Sequence, residues 1–313
     1  MRYKSVVSRA QTAKPLASML LKIATALTIS TAALADNVVV SSKIDTEGSV
    51  LGNIIYLALQ DAGIPVEDRI QLGATNIVRD AIIAGEIDIY PEYTGNGAFF
   101  FDRTDAPDWK NPDAAYELVR QLDFDANQLV WLQPANANNT WAISVRQDLA
   151  SAHGLDTLED LAAYLNDGGE FRFAGSAEFV ESESALPAFQ AAYGFELRSD
   201  QLVVLAGGNT AATMRAAAQQ INGVNAAMTY GTDGGLNALN LRVMKDTLGV
   251  QPVYEPAPII RADTLAQYPE IESILAPLFN AMTLEGLQEM NGNVAVNGAD
   301  PRQVARDFID QNR

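Results

Sequence analysis

The chain has 313 residues, one histidine, no cysteine and a formal net charge of −18. Without cysteine there is no disulfide framework, no thiol nucleophile and no sulfur to carry a lipid. The acidic balance argues against nucleic acid and anionic membrane surfaces as partners.

The first 35 residues differ from the rest. Arg2, Lys4, Arg9, Lys14 and Lys22 all precede the first acid, Asp36. Ile23 to Leu34 is an apolar run of signal-peptide length, and Ala33-Leu34-Ala35 supplies a small-x-small cleavage pattern. The pattern predicts a cleaved secretory signal over 1–35, a mature chain from Asp36, and an unlipidated periplasmic protein. Removing the leader leaves 16 basic against 39 acidic residues, a net of −23. The remaining 278 residues exceed the usual size of one core and predict two lobes. Nothing after the leader is apolar for long enough to form a membrane helix.

In chain order, the β-branched run Val38–Ile44 predicts a first strand. Val50, Leu51, Ile54, Ile55, Leu57 and Leu59 recur at helical spacing within Gly48–Ala62. Ile70–Leu72 reads as a second strand, followed by a helix capped by Thr75 or Asn76 and stopped at Gly85. Ile87 to Tyr90 forms a third strand. Leu129–Leu132 and Trp141–Val145 read as strands. Thr157-Leu158-Glu159-Asp160 opens a helix with a capping box, and Gly168-Gly169 closes it. Phe171–Gly175 and Leu202–Leu205 are further strands. An alanine-rich helix over Thr210–Gln220, which Gly207-Gly208 opens, leads to a strand ending at Tyr230. Alternating strands and helices predict an α/β fold with largely parallel sheets.

Residues 73–97 and 208–235 share an order: a Gly/Asn/Thr turn, a helix, a glycine, a short strand and a tyrosine-bearing turn. Two similarly wired lobes would each present aromatic residues at the carboxyl end of a strand, where open α/β sheets bind ligands. The expected arrangement is lobe one at 36–139 and 256–313 and lobe two at 140–255, with a ligand cleft between them. The chain would cross near Asn138–Trp141 and near Val253–Pro258.

Catalytic parts are scarce. His153 sits in a Ser-Ala-His-Gly loop, and no serine-hydrolase elbow, zinc motif, P-loop or dinucleotide fingerprint occurs. No cofactor or metal is called for. Asp88 and Glu92 offer the one carboxylate pair to weigh as an exported hydrolase. Against that stands recognition. Tyr93, Trp141 and Tyr230 lie at strand ends or crossings, and aromatic faces hold quaternary ammonium groups that cannot donate hydrogen bonds. The same rings serve equally well as core. Phe99, Phe100 and Phe101 read as core.

Several blocks together resemble the substrate-binding proteins of osmoprotectant ABC importers, the glycine betaine/choline/proline betaine class, and most nearly the OsmF (YehZ) branch. They are Ser42-Lys43-Ile44-Asp45-Thr46-Glu47, Tyr90-Pro91-Glu92-Tyr93-Thr94-Gly95, Asn138-Asn139-Thr140-Trp141, Ala177-Glu178-Phe179 and Tyr230-Gly231-Thr232-Asp233-Gly234. The resemblance covers nearly all of 36–313. It implies a two-lobe, type II-like periplasmic binding protein, not an enzyme, that closes on a quaternary ammonium ligand. It also implies delivery to a membrane permease with its ATPase, and we expect a monomer.

By the same resemblance Tyr93, Trp141 and Tyr230 are cage walls, Lys43 meets a ligand carboxylate, and Asn96, Asn139 and Thr232 are polar contacts. Three positions depart from the pattern. Gly48 stands where relatives often carry Gln, Met214 where many carry a further cage tyrosine, and Ser182 where an arginine meets the carboxylate. Glu178, Glu181 and Glu183 surround that last position. Glycine betaine is the leading ligand, with choline or weak affinity left open. A receptor of the same fold for another small ligand, such as an amino acid, is the alternative.

Overall fold

The computed structural model describes residues 37–205 and 210–312. The predicted leader and the Gly207-Gly208 pair lie outside the described residues. Among the described residues ten strands are formed: β1 Val38–Lys43, β2 Val66–Gly73, β3 Ile89–Tyr93, β4 Leu129–Trp131, β5 Trp141–Arg146, β6 Phe173–Ser176, β7 Leu202–Leu205, β8 Ala226–Tyr230, β9 Leu241–Val243 and β10 Pro256–Arg261. They make two five-stranded sheets, ordered β2-β1-β3-β10-β4 and β7-β6-β8-β5-β9. The two halves therefore share one wiring, with β3 and β8 in the centre, each preceded by a helix (Thr75–Ile83 and Thr210–Ala218). Among the described residues no helix is long and apolar enough to cross a membrane.

Each sheet contains one reversed strand. β1 runs parallel to β2 and β3, and β6 parallel to β7 and β8. β10 is antiparallel to β3 and β4, and β5 to β8 and β9. The expected largely parallel sheets are thus mixed, for a topological reason. β5 and β10 are the first strands after the chain passes from one sheet to the other. Each starts where its neighbours end, so it must run against them: Trp141 pairs with Tyr230 and Pro256 with Tyr93.

The two passages lie side by side. The Tyr254 N–H donates to Asn138 Oδ1 at 2.8 Å, the Asn139 N–H to the Tyr254 carbonyl at 2.9 Å, and the Thr140 hydroxyl to the Pro252 carbonyl at 2.9 Å.

The first half has a core built on the Thr46–Asp61 helix. Val50, Leu51, Ile54, Ile55 and Leu59 are wholly buried against Val38, Val40, Ile271, Phe279, Leu287 and Ile309. Burying each such side chain contributes roughly 1.5–3 kcal/mol. Asp45 caps this helix by accepting from the Gly48 N–H at 2.7 Å. The second half has an aromatic core of Phe173, Phe179 and Phe189 around Ile143 and Val145. Its Leu158–Asn166 helix carries the expected capping box between Thr157 and Asp160.

Some boundaries move. Ala74, not Thr75 or Asn76, takes the N-cap position, with no side-chain bond. Gly85 closes that helix at φ +74° as expected. The third strand runs on through Pro91 to Tyr93, because Pro91 faces Pro258 across the ladder and neither requires an N–H from the other.

Among the first half's aromatics, Phe99 is 61% exposed and Phe100 only half-buried, which corrects their assignment to the core, whereas half-buried Phe101 packs against the core of Val78, Tyr90, Trp109 and Trp131. The Arg79 guanidinium stacks over Phe100 at 4.4 Å while it pairs with buried Asp123. Phe100 thus covers an ion pair rather than filling a core.

Candidate functional site

Tyr93 ends β3 and is buried on two carboxylates. Its hydroxyl donates to Glu47 Oε1 at 2.7 Å, and its N–H to Glu92 Oε1 at 2.7 Å. Glu92 is completely buried. It also accepts from the Lys43 ammonium, from the Tyr90 hydroxyl at 3.0 Å and from Asn96 Nδ2 at 2.7 Å. Lys43, 5% exposed, stands 4.5 Å from the centroid of the Tyr93 ring. The lysine and Asn96 are thus both tied to Glu92.

Glu47 is the second strut. It accepts from Asn291 Nδ2 at 2.6 Å and Asn139 Nδ2 at 3.2 Å besides the Tyr93 hydroxyl. Burial pushes its carboxyl up to about 7, against hydrogen bonds from Thr232, Tyr93 and Asn291 that pull it down. Asn291 also donates to the Thr232 carbonyl at 2.9 Å, so one side chain joins Glu47 to the turn after β8. The Asn139 and Asn291 side-chain oxygens are buried without a hydrogen-bond partner.

Trp141 and Tyr230 are half-buried cross-strand partners at the matching edge of the second sheet. The Trp141 ring meets Phe179 edge-on, with centroids 5.7 Å apart at 89°, and its indole Nε1 has no acceptor. Asp233 accepts from the Tyr230 N–H at 2.7 Å, and burial pushes its carboxyl up to about 6. Glu178 is exposed, yet its charge reaches the Tyr230 phenol.

A fourth ring comes from the second passage. A Cβ on Gly95 would lie 2.8 Å from the Tyr254 ring and 2.7 Å from the Val253 carbonyl. Gly95 is therefore the floor on which Tyr254 rests. Burial, with the charges of Tyr230 and Glu92, pushes the Tyr254 phenol up to about 12. Tyr254 belongs to the passage whose backbone bonds Asn138 and Asn139. The sequence reading treated Val253–Pro258 only as a crossing. A tyrosine within a crossing that returns to the Tyr-Thr-Gly-Asn-Gly turn was the available signal.

The family described as the substrate-binding domain of ABC-type glycine betaine transport systems (OpuAC) matches residues 36–311. This chain belongs to that family. It is 54% identical over 278 residues to the glycine betaine-binding protein YehZ of Escherichia coli K12, covering 88% of this chain and 91% of that one. The solved structure of apo YehZ from Escherichia coli superposes with a TM-score of 0.83 at 53% identity, covering 88% of this chain and 99% of that one. Lactococcal OpuAC, solved closed with glycine betaine, has a TM-score of 0.54 at 14% identity over 88% of this chain and 96% of that one, a likeness of fold alone. These relatives are binding proteins, not enzymes, and the expected two-lobe α/β fold is theirs.

The positions that depart from the family's pattern have structural explanations here. A Cβ on Gly48 would lie 2.7 Å from the Lys43 carbonyl, so the first turn of the helix approaches β1 only with glycine there. Met214 is buried in a core with Ala174, Ala217 and Leu236, and a Cβ on Gly235 would touch its methyl at 2.8 Å. It packs inward instead of standing at a cage position. The Ser182 hydroxyl bonds to that of Ser184 at 3.0 Å, beside exposed Glu181 and Glu183.

The carboxylate pair of the hydrolase reading is engaged within the fold. Asp88 accepts from the Val39 N–H at 2.8 Å and the Thr264 hydroxyl at 3.0 Å. Glu92 is wholly buried on Lys43, Tyr90, Tyr93 and Asn96, so both carboxylates are taken up in contacts within the fold. His153 is exposed and stacks on Tyr164 at 4.7 Å. Among the described residues no cluster of His, Cys, Asp or Glu is suited to a metal.

Proposed function

We propose that this protein captures a small quaternary ammonium osmolyte, glycine betaine foremost, and delivers it to the permease and ATPase of an ABC importer. It acts in the periplasm as a non-enzymatic monomer, exported through a leader over 1–35. Its lobes are 36–139 with 256–313, and 140–255. The observation that carries this reading is that two similarly wired sheets present aromatic residues at matching strand ends, Tyr93 on one and Trp141 with Tyr230 on the other, with Tyr254 on the passage between them.

Closure of the lobes would bring the rings around the trimethylammonium and take it out of water. Each desolvated cation–ring contact then contributes on the order of 2 kcal/mol. Asn139, Asn96 and Thr232 line the remainder. Lys43 acts chiefly by holding Glu92 beneath Tyr93, which leaves little positive charge to meet a ligand carboxylate. Choline is therefore the second ligand to test.

Titration calorimetry with glycine betaine, choline and dimethylglycine tests the reading. We expect betaine to weaken sharply on loss of one methyl, and Trp141→Ala and Tyr254→Ala each to lose at least tenfold in affinity. Equal binding of betaine and dimethylglycine, or unchanged affinity in both variants, would remove the cage.

A further inference from the structure

We infer that Glu47, acting through Tyr93, sets the preference of the cage between a bare cation and a zwitterion. The inference rests on the cage reading above and concerns a residue to which that reading gives no contact with ligand. Glu47 is 5% exposed and lies end-on to the Tyr93 phenol, 2.7 Å from its hydroxyl. The carboxylate is thus roughly 5–6 Å from the ring centre, where at an effective dielectric near 20 a unit charge changes the binding of a cation on the ring by roughly tenfold to a hundredfold. A zwitterion gains less, because the field that attracts its ammonium repels its carboxylate. Accepting the phenol proton also adds electron density to the ring face that meets the cation.

The neighbours leave this charge uncompensated. On β1 and β3, Lys43 is already paired with Glu92. On its own turn Glu47 faces Asp45, of like sign. From the second half it meets Thr232, beyond which lies Asp233, and the Leu284–Ala295 helix offers only the Asn291 amide. Asn139, on the passage, supplies another amide. With its carboxyl raised to about 7, Glu47 changes charge in the neutral range, so the selectivity it imposes changes with pH. Below that range the cage is less negative and bare cations lose their advantage; above it they gain.

Glu47→Gln is the decisive variant. Glutamine still offers an oxygen to the Tyr93 hydroxyl, and its amide can donate to the unpartnered oxygens of Asn139 or Asn291. The experiment is titration calorimetry of choline and glycine betaine on wild type, Glu47→Gln and Glu255→Gln, at about pH 6 and about pH 8.5. Glu255, raised to about 7 by burial and by Asp113, is the control for a second group titrating in the same range.

The expected result is a wild-type ratio of choline to betaine affinity that rises about tenfold between the two pH values. Glu255→Gln should keep that rise, and Glu47→Gln should abolish it and hold the low ratio. A Glu47→Gln protein with the wild-type ratio and pH profile would overturn the inference while leaving the cage in place. So would a flat wild-type ratio. This wild-type reading decides the matter even if the variant does not fold. Wild type that binds neither ligand would overturn the cage, and the inference with it.

Discussion

Lys43→Met separates two roles that a lysine beside a cage can have. If Lys43 is chiefly a ligand contact, its loss weakens binding and leaves the free protein intact. The structure gives it the other role. Glu92 is completely buried and has four donors: the Lys43 ammonium, the Tyr90 hydroxyl, the Tyr93 N–H and Asn96 Nδ2. Only the first carries charge. Removing one member of a buried ion pair costs about 3–5 kcal/mol because the other is stranded. The three neutral donors that remain offset part of this, so we expect about 3 kcal/mol. Urea unfolding of the ligand-free protein measures it. Lys43→Met with Glu92→Gln in the same chain should recover most of the loss, since the stranded charge is gone. A loss below about 1 kcal/mol for Lys43→Met alone, with betaine binding abolished, would refute the reasoning and return Lys43 to the ligand.

Gly95→Ala should reduce ligand affinity by at least tenfold, because its Cβ would stand 2.7 Å from the Val253 carbonyl and 2.8 Å from the Tyr254 ring and push both away; calorimetry reads the change. Gly234→Ala places a Cβ 2.1 Å from the Gly292 backbone nitrogen, where neither backbone can yield. It should lower the melting temperature by several degrees through the seat of the Leu284–Ala295 helix, as scanning calorimetry would record. For Glu47 the folded carboxyl is raised from 4.5 to about 7, so the stability linked to its neutral form is full below about pH 4.5 and lost as pH rises through 7. Glu47→Gln should therefore stabilise the free protein at pH 8 by up to about 3 kcal/mol and leave it unchanged at pH 4.5, a difference that unfolding curves at the two pH values measure.

Much of the fold is legible because its signals are local. Helical spacing of Val50, Leu51, Ile54 and Ile55, the Thr157–Asp160 capping box and the stop at Gly85 all act within one or two turns. The reversed strands β5 and β10 are not legible in that way. Their direction follows from where the chain re-enters a sheet, and their sequences look like those of any buried strand. Pro91 misleads for a related reason. Proline weakens a central strand in general, yet here the strand opposite supplies Pro258 at the same register, and the two absences coincide.

The site divides along the same line. The rings of Tyr93, Trp141 and Tyr230 stand out in the sequence because aromatic residues at strand ends have a chemistry of their own. What fixes and polarises them does not. Tyr93 and Glu47 are 46 residues apart and Asn291 and Glu47 are 244 apart, so neither pairing has a local signature. Lys43 was legible as a positive charge, but its effect depends on Glu92, which cancels it. On the reading proposed above, the acids that frame the rings decide what sort of positive ligand the cleft favours. A cage backed by Glu47, with Lys43 already paired, favours the ammonium end of a ligand more than it favours a carboxylate end. The same burial of Glu47 bears on stability. By burial alone Glu47 costs the free protein stability at neutral pH, and a cation over the Tyr93 ring is the group whose binding would offset that cost.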